Sequence, residues 1–434
     1  MMPPMNCQLF SHRLVLVALL FLASLSASLS ARADSLNIPL KTGDEVPIER
    51  IRADGDTLIL WTPSGFGMQP PAQVLAQELT FDDLETWLAD LHTAFFVSRG
   101  HNSVNSFSPK ALVELFDDAL KLSGKKNLLL LTSGNGAKPV LKAARLWQKT
   151  HPGNPALRGM ILFHPSLYAG RPALGQKAHY LPVVEETNLP IFIIQPTLST
   201  TQFRVNDLRE QLGIGGSQVY LRVIQGARDG FHVRPESDLS ESDRKARDKL
   251  PSMVVQATRL LLAVKPPKRA APERGKVHQV VDHVPGLEPY AIPATPPLAL
   301  SDIHGKSHTL QDYRGRVVLV SFWASWCPPC VREMPSLNRL QEKMQNKRFT
   351  VLGVNIGETV PKIKTFLEDK QVNFNILMDT DQKAYSAWNV YVVPSNFIVD
   401  GNGKVRLGSV GGIEWDSPDI IQTLDKLIAE TTPS

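Results

Sequence analysis

Val317-Val318-Leu319-Val320-Ser321-Phe322-Trp323-Ala324-Ser325-Trp326-Cys327-Pro328-Pro329-Cys330 decides the fold of the last third of the chain. The run Val317 to Trp323 is apolar apart from Ser321, the pattern of a strand buried on both faces. It leads straight into a Cys-x-x-Cys turn, and a helix is predicted from there to about Gln345. A cysteine at a helix N-terminus faces free backbone N–H groups and the positive end of the helix dipole, so its thiolate is favoured. The thiolate is the attacking species in disulfide exchange, which makes Cys327 the expected nucleophile. Cys330, one turn on and more buried, is placed to resolve the mixed disulfide. Pro328 and Pro329 stiffen the turn and remove N–H donors from it.

The cysteine count sharpens this reading. There are three cysteines, and Cys7 falls in a segment expected to be removed. The remaining pair therefore belongs to no larger disulfide scaffold. No second Cys-x-x-Cys and no suitably spaced histidines complete a metal site, and Val331 stands where a haem-attachment motif needs histidine. No metal and no cofactor beyond the Cys327–Cys330 disulfide is expected.

Outward from this stretch, residues 298 to 434 read as one unit. Strands are predicted at Phe349 to Asn355 and Asn375 to Met378. Two more, Asn396 to Asp400 and Lys404 to Leu407, flank the hairpin signal Gly401-Asn402-Gly403. Helices are predicted at Val360 to Lys370, Lys383 to Trp388 and Pro418 to Ala429. Residues 265 to 297 hold eight of the 33 prolines and read as an extended linker. Five basic residues and one acid between Lys265 and Lys276 supply +4 of the net charge of +5. No aromatic residue interleaves them, so a solvated linker is favoured over a nucleic-acid site.

Residues 34 to 264 alternate short apolar runs with amphipathic stretches, predicting a parallel sheet with helices on both faces. The predicted strands are Thr57 to Trp61, Thr93 to Val97, Asn127 to Leu131, Gly159 to Phe163, Ile191 to Ile194 and Val219 to Ile224. The clearest helices are Ala111 to Leu122 and Val140 to Gln148. At the N-terminus, His12 and Arg13 precede the apolar run Leu14 to Ala23, and Ala31-Arg32-Ala33 makes a small-x-small site. Residues 1 to 33 are expected to be a cleaved export signal, with an uncleaved inner-membrane anchor as the alternative. Export implies a compartment, the periplasm, where disulfides persist.

The motif Trp323 to Cys330 resembles the thioredoxin superfamily. Glu333 and Pro335 narrow the resemblance to the exported TlpA/ResA-like branch, in which an acid follows the second cysteine by three residues. Asn355 to Glu358, Tyr391-Val392-Val393-Pro394 and Phe397 to Gly401 match as well. The resemblance covers roughly residues 290 to 430. It implies a thioredoxin-like fold and thiol–disulfide oxidoreductase activity. It also implies a cis Val393–Pro394 peptide beside Cys327, where Val393, Pro394 and Trp326 would hold an extended substrate. Glu333 would handle the protons of the cysteine pair, and burial is expected to raise its pKa. Thioredoxin carries a buried Asp six residues before its first cysteine; Ser321 stands there here.

The partners implied are protein disulfides, apocytochrome c among them in cytochrome c maturation, and a membrane thiol carrier as electron donor. An oxidase or isomerase, or a ligand-binding protein regulated by its redox unit, are the alternatives.

The strand–helix order of residues 34 to 264 resembles the α/β-hydrolase fold, whose nucleophile sits in a strand–turn–helix elbow. Here Thr132-Ser133-Gly134-Asn135-Gly136 puts glycine at the nucleophile position, and Gln195 to Thr200 offer no carboxylate. His232 survives where the base would stand, and Ser64 is a rescue nucleophile. A base without its partners cannot run acyl transfer, so this domain is expected to be non-catalytic.

Overall fold

A computed structural model describes residues 33–100, 102–170, 174, 179–274, 286–290 and 292–430. The expected export signal, all but Ala33, lies outside these residues, as do positions 275–285 and 291 of the expected linker. By packing, the chain divides into two compact units. One holds the described residues up to Leu162 with Leu189–Phe192 and Gly230–Ala270. The other holds the described residues of Phe163–Asn188, with Ile193–Asp229 and those from Ala271 onward.

Eight strands form the first sheet: β1 (Ala33–Pro39), β2 (Glu45–Ile51), β3 (Thr57–Trp61), β4 (Leu84–Ala89), β5 (Asn127–Ser133), β6 (Leu157–Phe163), β7 (Ile191–Leu198) and β8 (Val219–Arg228). Their order is β1-β2-β4-β3-β5-β6-β7-β8. β3 runs parallel to β4 and β5, whereas β1 and β2 are antiparallel to each other and β2 is antiparallel to β4. The sheet is thus α/β and mixed, with an antiparallel edge that the predicted all-parallel sheet lacks.

The expected strand Thr93 to Val97 is not one. Asp90 accepts the Thr93 N–H at 3.1 Å and caps a single helical turn, Leu91–Ala94. The strand lies earlier, at β4, where two polar residues hide it. Glu85 is 6 % exposed; it accepts the Trp87 indole N–H at 2.7 Å and pairs with Lys125 at 3.2 Å. Helix α1 (Pro109–Ser123) has Ser108 as N-cap, Pro109 in its first turn and Gly124 at φ +68° after its end. Helix α2 (Ala137–Thr150) follows β5 through the tight turn Gly134–Gly136.

In the second unit a two-stranded hairpin pairs β10 (Ala299–Ser301) with β11 (Ser307–Thr309), following the short β9 (Glu288–Pro289). The main sheet has the order β14-β13-β12-β15-β16-β9, from β12 (Val317–Trp323), β13 (Phe349–Ile356), β14 (Asn375–Asp379), β15 (Ser395–Val399), β16 (Val405–Val410) and β9. β12, β13 and β14 are parallel; β15 and β16 are antiparallel to their neighbours.

Helices α3 (Pro328–Lys343), α4 (Val360–Asp369), α5 (Lys383–Ala387) and α6 (Pro418–Glu430) complete this part. Alternate residues of β12 feed two cores, Val318, Val320 and Phe322 on one side and Val317 and Leu319 on the other. The predicted hairpin forms because Asp400 Oδ1 accepts the N–H groups of Asn402 (3.0 Å) and Lys404 (2.9 Å). Asp379, the last residue of β14, caps α5 through the N–H groups of Ala384 and Tyr385.

Candidate active site

Cys327 and Cys330 are joined by a disulfide, their Cα atoms 5.3 Å apart, at the point where β12 gives way to α3. Cys327 has extended backbone and caps the helix: its Sγ accepts the Cys330 N–H at 3.3 Å. Pro328 and Pro329 occupy the first turn, where a helix needs no N–H from them. Both sulfur-bearing residues are buried, Cys327 at 3 % and Cys330 at 1 % exposure.

The Val393–Pro394 peptide is cis, and the Val393 carbonyl oxygen lies 3.6 Å from Cys327 Sγ. The structure thus brings Cys327, Cys330, Val393 and Pro394 together. Trp326 packs at the edge of the same core, half-buried. Arg204 of the same compact unit lays its guanidinium 3.9 Å above the Tyr391 ring, two residues ahead of Val393. Phe203 packs against Tyr385 with ring centroids 4.4 Å apart and planes tilted by 39°. No sequence motif announces this pair of contacts.

Glu333 sits one turn beyond Cys330 and is 3 % exposed. Burial pushes its carboxyl up to about 8, because the charged form loses its water. Three neighbours pull the other way: the Trp415 indole, the Ile413 backbone and the Asn396 side chain. Trp415 is fully buried and donates from Nε1 to Glu333 Oε2 at 3.4 Å, while its own backbone N–H reaches Ser336 Oγ at 3.2 Å. Trp415 has no sequence signal, because the stretch that carries it lies between the last strand and the last helix.

A second buried acid supports the loop before Cys327. Glu358 Oε2 accepts the Ser325 N–H (2.7 Å) and the Asn355 amide (2.9 Å), and Oε1 accepts the Ser325 hydroxyl (2.6 Å). Lys362 closes an ion pair with it at 2.7 Å. The Asn355-to-Glu358 match in the sequence is thus a brace that fixes Ser325, two residues ahead of Cys327.

Among the described residues no group of three or more His, Cys, Asp or Glu side chains is arranged to hold a metal. In the first unit, Gly134 at the elbow has φ +54°. Ser133 beside it and His232 are both buried. His92 Nε2 approaches Ser103 Oγ at 3.0 Å, but it also meets the Gly65 carbonyl at 3.1 Å. The Ser103 hydroxyl lies 2.7 Å from the Gly100 carbonyl and 2.9 Å from that of Gly65. This contact ties two loops together, with the hydroxyl turned toward carbonyl oxygens.

A strand, a disulfide at a helix N-terminus and a facing cis-proline loop define a thioredoxin-fold thiol–disulfide exchange protein. Residues 293–407 match the AhpC/TSA family. The chain is 40% identical over 132 residues to the thiol-disulfide oxidoreductase ResA of Geobacillus thermodenitrificans, spanning 30% of this chain and 75% of that protein. It is 32% identical over 110 residues to ResA of Bacillus subtilis, spanning 25% and 62%. StoA from Bacillus subtilis is a solved structure similar to 33% of this chain and 100% of its own, at 19% identity and a TM-score of 0.27. Through its C-terminal part the chain belongs to the ResA-type thiol-disulfide oxidoreductases; it is an oxidoreductase.

The Glu358 brace has a measurable consequence. Gln at 358 keeps one acceptor oxygen for donors that now share two, so Glu358→Gln is expected to cost about 1–3 kcal/mol of stability. Chemical denaturation followed by tryptophan fluorescence measures it. An unchanged midpoint removes Glu358 from the support of the site.

Proposed function

We propose that this protein is an exported reductase that passes two electrons from the Cys327/Cys330 dithiol to disulfides in other proteins. The observation that carries this reading is the Cys327 sulfur at the N-terminus of α3, 3.6 Å from the Val393 carbonyl, with Glu333 buried behind it. In the reduced protein the Cys327 thiolate attacks a substrate disulfide. A mixed disulfide forms and one substrate thiolate leaves. Cys330, its proton taken by Glu333, then attacks Cys327 Sγ, closes the internal disulfide and frees the second substrate thiol.

Val393 and Trp326 line the approach, and Pro394 holds the loop in place. No cofactor beyond the disulfide takes part. A thiol donor at the membrane restores the dithiol. Apocytochrome c, whose haem-attachment cysteines must be reduced, is the substrate class favoured by the ResA-like resemblance. The signal-like pattern of residues 1 to 33 supports periplasmic work. Among the described residues no helix is long and apolar enough to cross a membrane.

The proposed organisation is a signal to residue 33, a non-catalytic domain over 34–264, a linker over 265–297 and the redox domain over 298–434. An α/β-hydrolase-like ancestry for 34–264 is supported by the strand–turn–helix at Ser133–Ala137 and by the positive φ of Gly134 at its apex.

Three outcomes follow from this reading. Cys327→Ser abolishes insulin-disulfide reduction by the full-length protein, since no other mature cysteine replaces the nucleophile. Residual turnover contradicts the mechanism.

Glu333→Gln removes the limb of the pH–rate profile that rises toward pH 8. It also changes stability in a fixed direction. The unfolded carboxyl ionises near about 4.3, whereas the folded one keeps its proton to about 8. Wild-type stability therefore drops across that window, and the Gln variant escapes the drop. Relative to wild type, Glu333→Gln gains stability as pH rises between those two values. Parallel stability curves across this range contradict the assignment.

The full chain hydrolyses no short-chain nitrophenyl ester and takes no fluorophosphonate label. Labelling at Ser64 or Ser133, lost on change to Ala, overturns the non-catalytic reading.

A further inference from the structure

Directly beneath the first turns of α3 the sheet stops being apolar. Ser321 of β12 pairs with Asn396 of β15, and Asn396 pairs with Ser409 of β16. Residues directly opposite on antiparallel strands share a face, with Cβ atoms about 4.5–5.5 Å apart. The three therefore form one row across the sheet. Two positions along each strand, Leu319, Ile398 and Leu407 make the neighbouring row. That row belongs to the core that also takes Leu337 and Leu340 of α3. The polar row thus lies on the α3 side, toward the end of the sheet that carries the cysteines.

All three residues are buried, at 1 %, 0 % and 2 % exposure. Their polar atoms are not satisfied by the protein. Ser321 Oγ, Asn396 Oδ1 and Nδ2, and Ser409 Oγ each lack a hydrogen-bond partner among the described residues. A hydroxyl or amide left so costs about 1–3 kcal/mol, so a row of four such buried atoms calls for partners that the protein itself does not supply. Internal water is the ordinary answer, since it bridges polar groups that cannot reach one another. The row has an end: a Cβ on Gly353, the neighbour of Ser321 on β13, would meet Ile376, Phe374 and the Trp323 indole within 3.2 Å.

At its centre the row meets Glu333. Asn396 lies close enough to act on the Glu333 carboxyl, yet neither amide atom closes a direct hydrogen bond. We infer that the row Ser321–Asn396–Ser409 is a binding site for internal water, and that Asn396 is a positioning residue for the Glu333 proton through that water. This deepens the proposed role of Glu333 and rests on it. The proton that Cys330 gives to Glu333 during resolution passes to bound water, and the carboxylate is restored for the next turn.

The elements packed around Glu333 are α3, β15 and the stretch Gly411–Trp415. The titratable groups nearest along them are Cys327 and Cys330; Arg332 is exposed and Glu414 is turned to Arg339 at 3.2 Å. None of the influences on the Glu333 carboxyl is a charge.

The test follows the Glu333 carboxyl directly in the oxidised full-length protein, by carbon-13 labelling of glutamate, with Glu333→Gln assigning the signal. Asn396→Leu is expected to raise the Glu333 midpoint by roughly half a pH unit or more. Asn396→Ser, which keeps a polar partner for water, restores most of it. In the wild type the Asn396 side-chain amide shows magnetisation transfer to water, which the Ser321→Ala/Ser409→Ala double variant weakens. That double variant also serves if Asn396→Leu does not fold. An unshifted midpoint in a folded Asn396→Leu variant, or an amide with no contact to water, overturns the inference. An unchanged pH–rate profile in Glu333→Gln instead overturns the catalytic role of Glu333 and leaves the row to be judged by the titration alone.

Discussion

A carboxyl group held out of water one turn behind a disulfide governs how the redox site is built. Removing Glu333 from solvent costs free energy that its ionised form cannot recover, so the group keeps its proton to about pH 8. The Trp415 indole, the Ile413 backbone and the Asn396 side chain act on it where a core would ordinarily place apolar side chains. These groups reduce the cost without cancelling it. The result is a carboxyl that titrates near the pH range of thiol chemistry, placed on the helix whose N-terminus carries Cys327.

The geometry of the sulfur itself follows from the strand. β12 is buried on both faces, which fixes its direction and the place where it ends. The chain then turns through Ser325, held by Glu358, and enters α3 with prolines in the only turn that tolerates two of them. The loop of Val393 and Pro394 leads directly into β15, the antiparallel neighbour of β12. A strand register and a cis peptide thus set a carbonyl oxygen against Cys327. Each part of the site is positioned by an element whose own sequence pattern is strong.

That strength explains what was legible. Strand β12, the Cys-x-x-Cys turn, α3 and the Gly401–Gly403 hairpin all carry local signals, and the structure places them where those signals point; Pro394 by itself reads as an ordinary turn proline, and its cis bond follows only from the resemblance. Trp415 carried none, since a lone tryptophan between a strand and a helix has no period to read. The pairing of Ser321 with Asn396 and Ser409 depends on register between strands distant in sequence. In the first sheet, β4 was missed because Glu85 and Thr86 break the apolar run. Its buried acid is paid for by Lys125 and Trp87, partners that the local sequence does not reveal. Thr93 to Val97 misled for the opposite reason: it is apolar, but Asp90 caps it into a helical turn. The antiparallel edge of β1 and β2 was hidden by prolines 39 and 47.

The most direct measurement on the central claim is a trapping experiment on the full-length protein. Reduced Cys330→Ser protein, mixed with a peptide bearing a single disulfide, should accumulate one covalent adduct, which mass spectrometry maps to Cys327 and a reductant removes. The same treatment of the Cys327→Ser protein should give none. Failure of the first to form an adduct, or an adduct on Cys330 in the second, contradicts an exchange that begins at Cys327 and ends at Cys330.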